Sequence, residues 1–371
     1  MMASETKTFI PQIQPTITQI EVDRVSAAVQ STWITESNET QMFEQWFSNV
    51  SNRPTTSYCN GTAALLSIGH ILKMRFGTLN LAVPNMTFIS SMSPFLMLDA
   101  NITLLDVDQY SGQLDVSRLE EIPDGINVLV LPILYGAICD IDEVERYCRD
   151  KGICLVIDAA QAVGQSINGR SIFSFGDFCF SSFYGNKIIT TGSGGMLMTN
   201  NKTYYKQAKY LSTQSKDNAV YFIHNNIGYN LRMNNISASL GLSQLNKIDY
   251  ILSKKQDDYK LYQKLITNQN LELMQPTKNT ISNNWLNIIK IKKKISFKKL
   301  KHLIKILHEQ NVYVRPLWYP NHLQKFLKKY IRYNLQSINS IFTQIICLPS
   351  SPSLKNKTII EISKIINKIK I

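Results

Sequence analysis

The sequence contains no apolar stretch long enough to cross a lipid bilayer. Its longest run, INVLVLPILYGAI from Ile126 to Ile138, is well short of the roughly 20 residues that a spanning helix needs. The first residues, MMASETKTFIPQIQPTI, also lack the charged start, apolar core and small-residue cleavage site of a secretory signal. We therefore expect a cytoplasmic protein without a membrane partner.

Cysteine is scarce and scattered. The 371 residues include six cysteines, and no two of them form a Cys-x-x-Cys pair. In a chain without a secretory signal, this usage is typical of reduced thiols. The sequence therefore predicts neither disulfides nor a zinc site.

Acidic residues are too few to balance the basic ones, which leaves a formal charge of +13. Such an excess can indicate a nucleic-acid partner, because Lys and Arg neutralise phosphates. Here the lysines concentrate after Ser253, in segments such as KIKKKISFKKLKHLIKIL, where they interleave with Ile and Leu at helical spacing. This pattern favours the solvated face of an amphipathic helix, and we predict no nucleic-acid partner.

Short apolar runs rich in β-branched residues alternate with helical patterns through the first two thirds of the chain. The runs are LNLAVP, ITLLDVD, INVLVLPI, ICLVIDAA, DFCFSSF and GGMLMTN. Helices are predicted between them at Thr62 to Phe76 and at Ile141 to Lys151, the second with Asp140 as N-cap. Strands that alternate with helices predict an α/β fold with a mostly parallel sheet, covered on both faces.

The pattern changes after about Ser253 to long Lys-rich helices and sparse strands. The strand candidates in this part are WLNIIKI, VYVRPLW and IICLPS. The change predicts a large α/β domain over residues 1–252 and a smaller α+β domain over residues 253–371.

One helix start is suited to an anion. In NGTAALLSIGHIL, Asn60, Gly61 and Thr62 precede a helical pattern, and a helix N-terminus presents free N–H groups and the positive end of the dipole. A phosphate could bind there, although an ordinary N-cap explains the same residues.

A carboxylate stands at the end of a predicted buried strand. CLVIDAAQAVG ends its apolar run with Asp158, and Gln161 follows three residues later. The carboxyl ends of parallel strands face the crevice where α/β sheets bind ligands. An N-cap for a following helix is the alternative interpretation of Asp158.

Ser182 and Lys187 belong to a glycine-rich stretch, SFYGNKIITTGSGGML, between two apolar runs. A lysine in a loop of a Lys-rich chain carries little information by itself. Together with the helix start and Asp158, however, it completes what pyridoxal phosphate requires. The phosphate needs a helix N-terminus and hydroxyls, the pyridine nitrogen needs a carboxylate, and the aldehyde needs a lysine.

The chain resembles the DegT/StrS family of nucleotide-sugar aminotransferases over nearly its whole length. The motifs that carry the resemblance are STWIT, FEQWF, NGTAAL, VPNMTFIS, LYGAICDIDEV, IDAAQAVG, GDFCFSSFYGNKIITTGSGGML, GYNLRMNNISASLGLSQL, RPLW and CLPS. The resemblance implies the fold type I architecture of aspartate aminotransferase, with a large, mostly parallel-sheet domain and a smaller C-terminal α+β domain.

The resemblance also implies a role for each site residue. Lys187 would bind pyridoxal 5'-phosphate as a Schiff base and move protons during catalysis. Asp158 would form a salt bridge with the pyridine nitrogen, Gln161 would contact the ring oxygen, and Phe88 would stack on the ring. The residues that the resemblance implies for the phosphate are Gly61, Thr62, Ser182 and Asn230. Asn230 would come from the partner subunit, so the resemblance implies a homodimer with shared active sites.

An aminotransferase is implied because relatives without the lysine do not transaminate, and Lys187 is present here. L-Glutamate would donate an amino group to C4 of a nucleotide-linked 4-keto-6-deoxy sugar, for surface glycan or glycoprotein sugars. Segments such as LSTQSKD and NNWLN favour UDP-2-acetamido-4-keto-2,6-dideoxyhexose, on a bacillosamine-type route. The GDP-perosamine synthase branch, which acts on GDP-4-keto-6-deoxymannose, shares the STWI segment and stays open. A non-catalytic relative that binds the cofactor or a nucleotide sugar is the alternative of another class.

Overall fold

The computed structural model describes residues 9–371 and is built around one large sheet. The helices are α1 (Gln19–Gln30), α2 (Asn38–Ser51), α3 (Gly61–Phe76), α4 (Ser93–Leu96), α5 (Ile141–Lys151), α6 (Lys202–Ser212), α7 (Asn235–Leu245), α8 (Ile248–Leu265), α9 (Phe297–Glu309), α10 (Ile338–Ile341) and α11 (Asn356–Asn367). The strands are β1 (Thr55–Tyr58), β2 (Asn80–Pro84), β3 (Asn101–Leu105), β4 (Val128–Pro132), β5 (Cys154–Asp158), β6 (Ser166–Ile167), β7 (Arg170–Ser171), β8 (Phe178–Ser182), β9 (Gly195–Met198), β10 (Leu271–Leu273), β11 (Thr280–Ile281), β12 (Ile288–Ile291), β13 (Arg315–Pro316), β14 (Ile331–Tyr333) and β15 (Ile345–Cys347).

The large sheet has eight strands in the order β1-β9-β8-β5-β4-β2-β3-β14. Strands β8, β5, β4, β2, β3 and β14 run parallel, whereas β9 is antiparallel to both of its neighbours. Every apolar run predicted as a strand in this part of the chain forms one. The prediction of an α/β fold with a mostly parallel sheet is therefore confirmed.

The central strands are apolar along their length because both faces of the sheet are covered. All five residues of β4 and of β5 are buried. In β4, Leu129 and Leu131 pack into the core on one face, and Val128 and Val130 pack into the core on the other. This alternation is the period-2 consequence of strand geometry, so the sheet gives the site a rigid support.

The predicted helices lie where their caps indicated. The side chain of Asn60 accepts a hydrogen bond from Ala63 N–H at the start of α3, and Asp140 does the same for Glu143 at the start of α5. Each of these bonds satisfies one of the free N–H groups of a helix start.

The C-terminal part forms a second, antiparallel sheet in the order β10-β12-β15-β13. Helix α9 covers it with Leu300, Leu303 and Leu307, and the lysines between these residues are exposed, as the Ile/Lys spacing predicted. Two features cross the expected domain boundary: α8 spans residues 252 and 253, and β14 pairs with β3 of the large sheet. The division at 252 stays a prediction.

Among the helices of residues 9–371, none has both the length and the apolar character required to cross a membrane.

Candidate active site

The carboxyl ends of the parallel strands meet at one edge of the large sheet, and the expected site residues follow them. Phe88 comes after β2, Asp158 ends β5, and Ser182 ends β8. Lys187 lies in the segment between β8 and β9, where its N–H donates to the carbonyl of Tyr184 at 2.9 Å. The sheet topology thus brings residues from distant parts of the sequence to one crevice, the usual ligand position in open α/β sheets.

The start of α3 is packed unusually closely against the ends of two strands. A Cβ atom added at Gly61 would lie 2.9 Å from Cβ of Ser182, and one added at Gly195 would lie 2.5 Å from the carbonyl oxygen of Asn60. Glycine is needed at both positions because a side chain would separate the backbones. Asn60 caps Ala63 N–H, whereas the N–H groups of Gly61 and Thr62 have no acceptor within the helix. These two groups lie beside Ser182, and with its hydroxyl they would form a small cradle for an anion.

Asp158 is buried, and both of its carboxylate oxygens accept hydrogen bonds. Ser91 Oγ donates to Oδ2 at 2.5 Å, and the backbone N–H of Ala160 donates to Oδ1 at 3.1 Å. Burial is the largest effect on Asp158 and leaves its pKa raised, although these two bonds and the nearby Lys187 charge oppose the rise. Residues 159–165 form turns, so Asp158 does not cap a helix. Ser91 and Ala160 therefore hold the carboxylate in place at the carboxyl end of β5.

Gln161 is fixed by the segment that follows β4. Its Oε1 accepts a hydrogen bond from the backbone N–H of Tyr135 at 2.9 Å, and its carbonyl oxygen accepts one from Asn283 Nδ2 at 2.6 Å. Because Oε1 is engaged by an N–H donor, the amide NH₂ of Gln161 is the end available to donate. An N–H donor at Gln161 would suit the ring oxygen of pyridoxal phosphate.

Lys187 lies beside an aromatic wall. Its Nζ is 4.8 Å from the ring centroid of Trp285, whose Nε1 donates to the carbonyl of Asn186 at 2.7 Å. The Tyr135 ring stacks on Trp285 with centroids 5.9 Å apart. Desolvation lowers the pKa of Lys187 to about 8, although the charge of Asp158 opposes this fall. An amine with such a pKa is available as a nucleophile and a base near neutral pH.

Two expected residues lie at the margins of this group. Phe88 is half exposed after β2, and its ring centroid is 5.7 Å from that of Trp318. Asn230 is exposed and forms a bridge with Thr213. Its neighbour Leu231 accepts a hydrogen bond from Cys59 N–H at 2.7 Å, which places the Asn230 backbone near the start of α3 in its own chain.

Several residues at the site were not predicted from the sequence. Ser91 lies three positions after Phe88, so its place in the TFISS segment was the available signal. Tyr135 belongs to LYG and Trp285 to NNWLN, but neither motif indicated a contact with Lys187. The C-terminal part of the chain contributes Trp285 to the site through contacts between distant residues. Local sequence patterns do not indicate such contacts.

The residues present fit pyridoxal phosphate. The cradle at Gly61, which a Cβ atom would fill, suits a phosphate, and the buried carboxylate of Asp158 suits a protonated ring nitrogen. The lowered pKa of Lys187 suits an amine that binds an aldehyde. With the sheet topology, this set defines a fold type I enzyme that depends on pyridoxal phosphate.

Residues 15–369 match the DegT/DnrJ/EryC1/StrS aminotransferase family, and the chain belongs to it. The protein is therefore a sugar aminotransferase that depends on pyridoxal phosphate, and the resemblance in its sequence motifs is confirmed.

The names of individual relatives and solved structures are consistent with this family. GDP-perosamine synthase from Escherichia coli O157:H7 is 31% identical over 367 residues, covering 97% of this chain and 98% of the relative. Among solved structures, Helicobacter pylori PseC, an aminotransferase in pseudaminic acid biosynthesis, has a TM-score of 0.91 at 19% identity, covering 97% of this chain and 99% of PseC. Spr1654 from Streptococcus pneumoniae in its PMP form has a TM-score of 0.88 at 24% identity, with coverage of 97% and 99%. The last two similarities concern the fold.

Proposed function

We propose that this enzyme transfers the amino group of L-glutamate to C4 of a nucleotide-linked 4-keto-6-deoxy sugar. The observation that carries the proposal is Lys187, a lysine with a lowered pKa that shares the crevice with the buried carboxylate of Asp158. Such an amine can take a proton from one carbon and return it to another.

The proposal assigns each residue of the site to a part of the cofactor. Lys187 would bind the aldehyde, Asp158 would face the ring nitrogen, Gln161 would donate to the ring oxygen, and Phe88 would cover the ring. The phosphate would be held by Gly61, Thr62, Ser182 and a second subunit's Asn230. When bound, the cofactor supplies a carbonyl that links to amines and a ring that accepts electrons from the neighbouring carbon.

Lys187 performs the proton transfers of both half-reactions. In the first, its Nζ takes the α proton of glutamate, and glutamate leaves as 2-oxoglutarate. In the second, Nζ delivers a proton to C4 of the sugar, where the carbonyl becomes an amine. Asp158 would pair its carboxylate with the protonated ring nitrogen, and the Ser91 and Ala160 hydrogen bonds favour that charged form against the burial that raises its pKa.

Two candidate nucleotides follow from different observations. The full-length relative at 31% identity is named a GDP-perosamine synthase, as are two further relatives at 26% and 29% identity, which favours GDP-4-keto-6-deoxymannose. The motifs LSTQSKD and NNWLN favour UDP-2-acetamido-4-keto-2,6-dideoxyhexose instead. We place the GDP-linked sugar first, because the 31% relative is similar over nearly its whole length.

The proposal includes a cytoplasmic homodimer. An apolar segment before Asn230 is strongly exposed in the single chain: Val220 and Tyr221 by 75%, Phe222 by 71% and Ile227 by 90%. Such a cluster on a water-soluble enzyme supports contact with a second protein surface. A second copy of the chain would cover it and would bring Asn230 to the neighbouring site.

The test is direct assay of the purified enzyme with L-glutamate and either GDP-4-keto-6-deoxymannose or UDP-2-acetamido-4-keto-2,6-dideoxyhexose. We expect the 4-amino product, identified by mass, with the GDP-linked sugar at the higher kcat/KM. A preference for the UDP-linked sugar would reverse the order of the two candidates. If neither sugar is aminated although glutamate is converted to 2-oxoglutarate, the assigned substrate class is wrong.

A further inference from the structure

A lysine outside the site just described is buried completely and surrounded by carbonyl oxygens. Lys255, on α8, is only 1% exposed. Its Nζ donates to the carbonyls of Ser350 at 2.7 Å, Trp285 at 2.9 Å and Asn284 at 3.3 Å. The three N–H bonds of an ammonium group match these three acceptors.

Burial of this amine has a cost that the surrounding groups must offset. Desolvation lowers the pKa of Lys255 to about 7, while the charge of Asp258 on the same helix opposes the fall. A buried charge is tolerated only where it is hydrogen-bonded well. Three backbone acceptors from two separate segments provide those bonds, so the contact joins α8 to both segments.

One of these segments forms the wall beside Lys187. Lys255 holds the backbone of Trp285, and the indole of Trp285 then makes two contacts at the site. Its Nε1 donates to the carbonyl of Asn186, and its ring lies 4.8 Å from Nζ of Lys187. Asn283, two residues before Trp285 in the same segment, donates to the carbonyl of Gln161.

In the proposed function, the amine of Lys187 would be free of the cofactor while it moves protons, so it would need a wall that limits its position. A long lysine side chain has several rotatable bonds, and the released Nζ has to stay within reach of the reacting carbon. The face of an indole ring attracts a protonated amine and restricts its position. A fixed Trp285 therefore gives the released amine a defined place.

We propose that Lys255 is a positioning residue for Lys187 and acts through Trp285. The inference rests on the proposed catalytic role of Lys187. It predicts that a change at Lys255 alters the environment of the Lys187 amine, although the two amines do not touch the same atoms.

The experiment compares Lys255→Met, which removes the ammonium group, with Lys255→Arg, which keeps a donor. Lys260→Met, a change of an exposed lysine on the same helix, is the matched control. In cofactor-free protein, competitive acylation read by mass spectrometry of the Lys187 peptide gives the pKa of that amine. In the holoenzyme, steady-state kinetics give kcat and KM separately.

We expect the pKa of Lys187 in Lys255→Met to rise by about one pH unit, because a loosened wall admits water and relieves desolvation. We expect kcat to fall about tenfold or more while KM changes little, since misplacement affects the proton transfer rather than substrate binding. Lys255→Arg should recover part of kcat, and Lys260→Met should match the wild type.

A folded Lys255→Met enzyme with the wild-type pKa at Lys187 and the wild-type kcat would overturn the inference. If Lys255→Met does not fold, Trp285→Phe decides, because it removes the bond to Asn186 and keeps an aromatic ring. An unchanged Lys187 pKa and kcat in Trp285→Phe would again overturn it. Lys187→Ala distinguishes a failure of this inference from a failure of the proposed function. An active Lys187→Ala enzyme would contradict the proposed function itself.

Discussion

At the scale of single residues, the hydroxyl of Ser91 is the hydrogen-bond partner that most favours the charged form of Asp158. It donates to Oδ2 at 2.5 Å and itself lies 2.7 Å from the hydroxyl of Thr87. Burial raises the pKa of Asp158, and the Ser91 bond is the largest of the effects that lower it. In Ser91→Ala the pKa of Asp158 should therefore rise, so that less of the carboxylate is ionised at a given acidic pH.

The measurement is the pH dependence of kcat/KM in Ser91→Ala and in Ser91→Thr. Because the proposed mechanism requires ionised Asp158, the acidic limb of the Ser91→Ala profile should move to higher pH, with little change at pH 8. Ser91→Thr keeps a hydroxyl and should retain the wild-type profile. An acidic limb in the same position for all three enzymes would show that Ser91 does not control this ionisation.

The amine of Lys187 is the other residue-scale determinant. Lys187→Ala should lose turnover almost completely, because the lysine is both the covalent anchor and the proton carrier in the proposed mechanism. Its fold should persist, since the change removes a desolvated amine and no core side chain. Circular dichroism and thermal unfolding check the fold, and product formation checks the activity. Near-normal turnover would exclude the assigned role.

At the scale of elements, α3 and β9 approach each other closely beside the candidate anion cradle. A Cβ atom at Gly195 would lie 2.5 Å from the carbonyl oxygen of Asn60 and 2.7 Å from the N–H nitrogen of Gly61. Gly195→Ala should therefore push the first turn of α3 outward, at a cost of about 1–3 kcal/mol in stability. The displaced N–H groups should also bind pyridoxal phosphate more weakly.

Thermal unfolding of the cofactor-free protein and titration with pyridoxal phosphate measure these two effects. Gly185→Ala is the matched control, because a Cβ atom there meets nothing within 4 Å and its backbone needs no positive φ. We expect the control to keep wild-type stability and affinity. Wild-type affinity in Gly195→Ala would mean that the close approach is not needed for the cofactor.

Local sequence patterns predicted the elements of this fold better than the pairing between them. The apolar runs of β2, β4 and β5 and the capped start of α5 are visible in short windows, because burial and capping act on neighbouring residues. The antiparallel direction of β9 follows from its connection to β8, which contains no helix to cross the sheet. That connection carries Lys187, whose surroundings local patterns do not describe.

Contacts between distant segments set the remainder of the site. β14 consists of three residues, Ile331–Tyr333, and pairs with β3 at the edge of the large sheet. Trp285 reaches Lys187 across about a hundred positions of the sequence, and Asn283 reaches Gln161 in the same way. No periodicity or motif spacing specifies such pairs, so the sequence predicted the candidate cofactor residues that follow the strands and did not predict the aromatic wall beside Lys187.

At the scale of the whole molecule, the C-terminal part completes the site instead of standing apart from it. Its strand β14 extends the large sheet, and its Trp285 and Trp318 both lie beside Tyr135. Motion of this part relative to the large sheet would therefore change the wall beside Lys187. The Lys255 contacts with Trp285 and Ser350 connect that wall to α8.

The proposed homodimer is also a property of the whole molecule, and substitutions at Asn230 test it. Leu231 bonds to Cys59 of the same chain, so Asn230 lies near its own cradle as well as on an exposed surface. A homodimer with shared sites predicts that Asn230 acts on the partner's cofactor. Lys187→Ala chains and Asn230→Asp chains should each be inactive as homodimers, the second because an added carboxylate repels the phosphate.

In a mixed dimer of the two variants, one site receives both defects and the other receives neither. Two-fold symmetry then predicts about half the activity of a wild-type dimer for each hybrid. Differently tagged chains allow the hybrid to be purified, and a hybrid of Lys187→Ala with the wild type provides the half-active reference. Purified hybrids without activity would show that Asn230 serves its own subunit, because each site would then keep one defect.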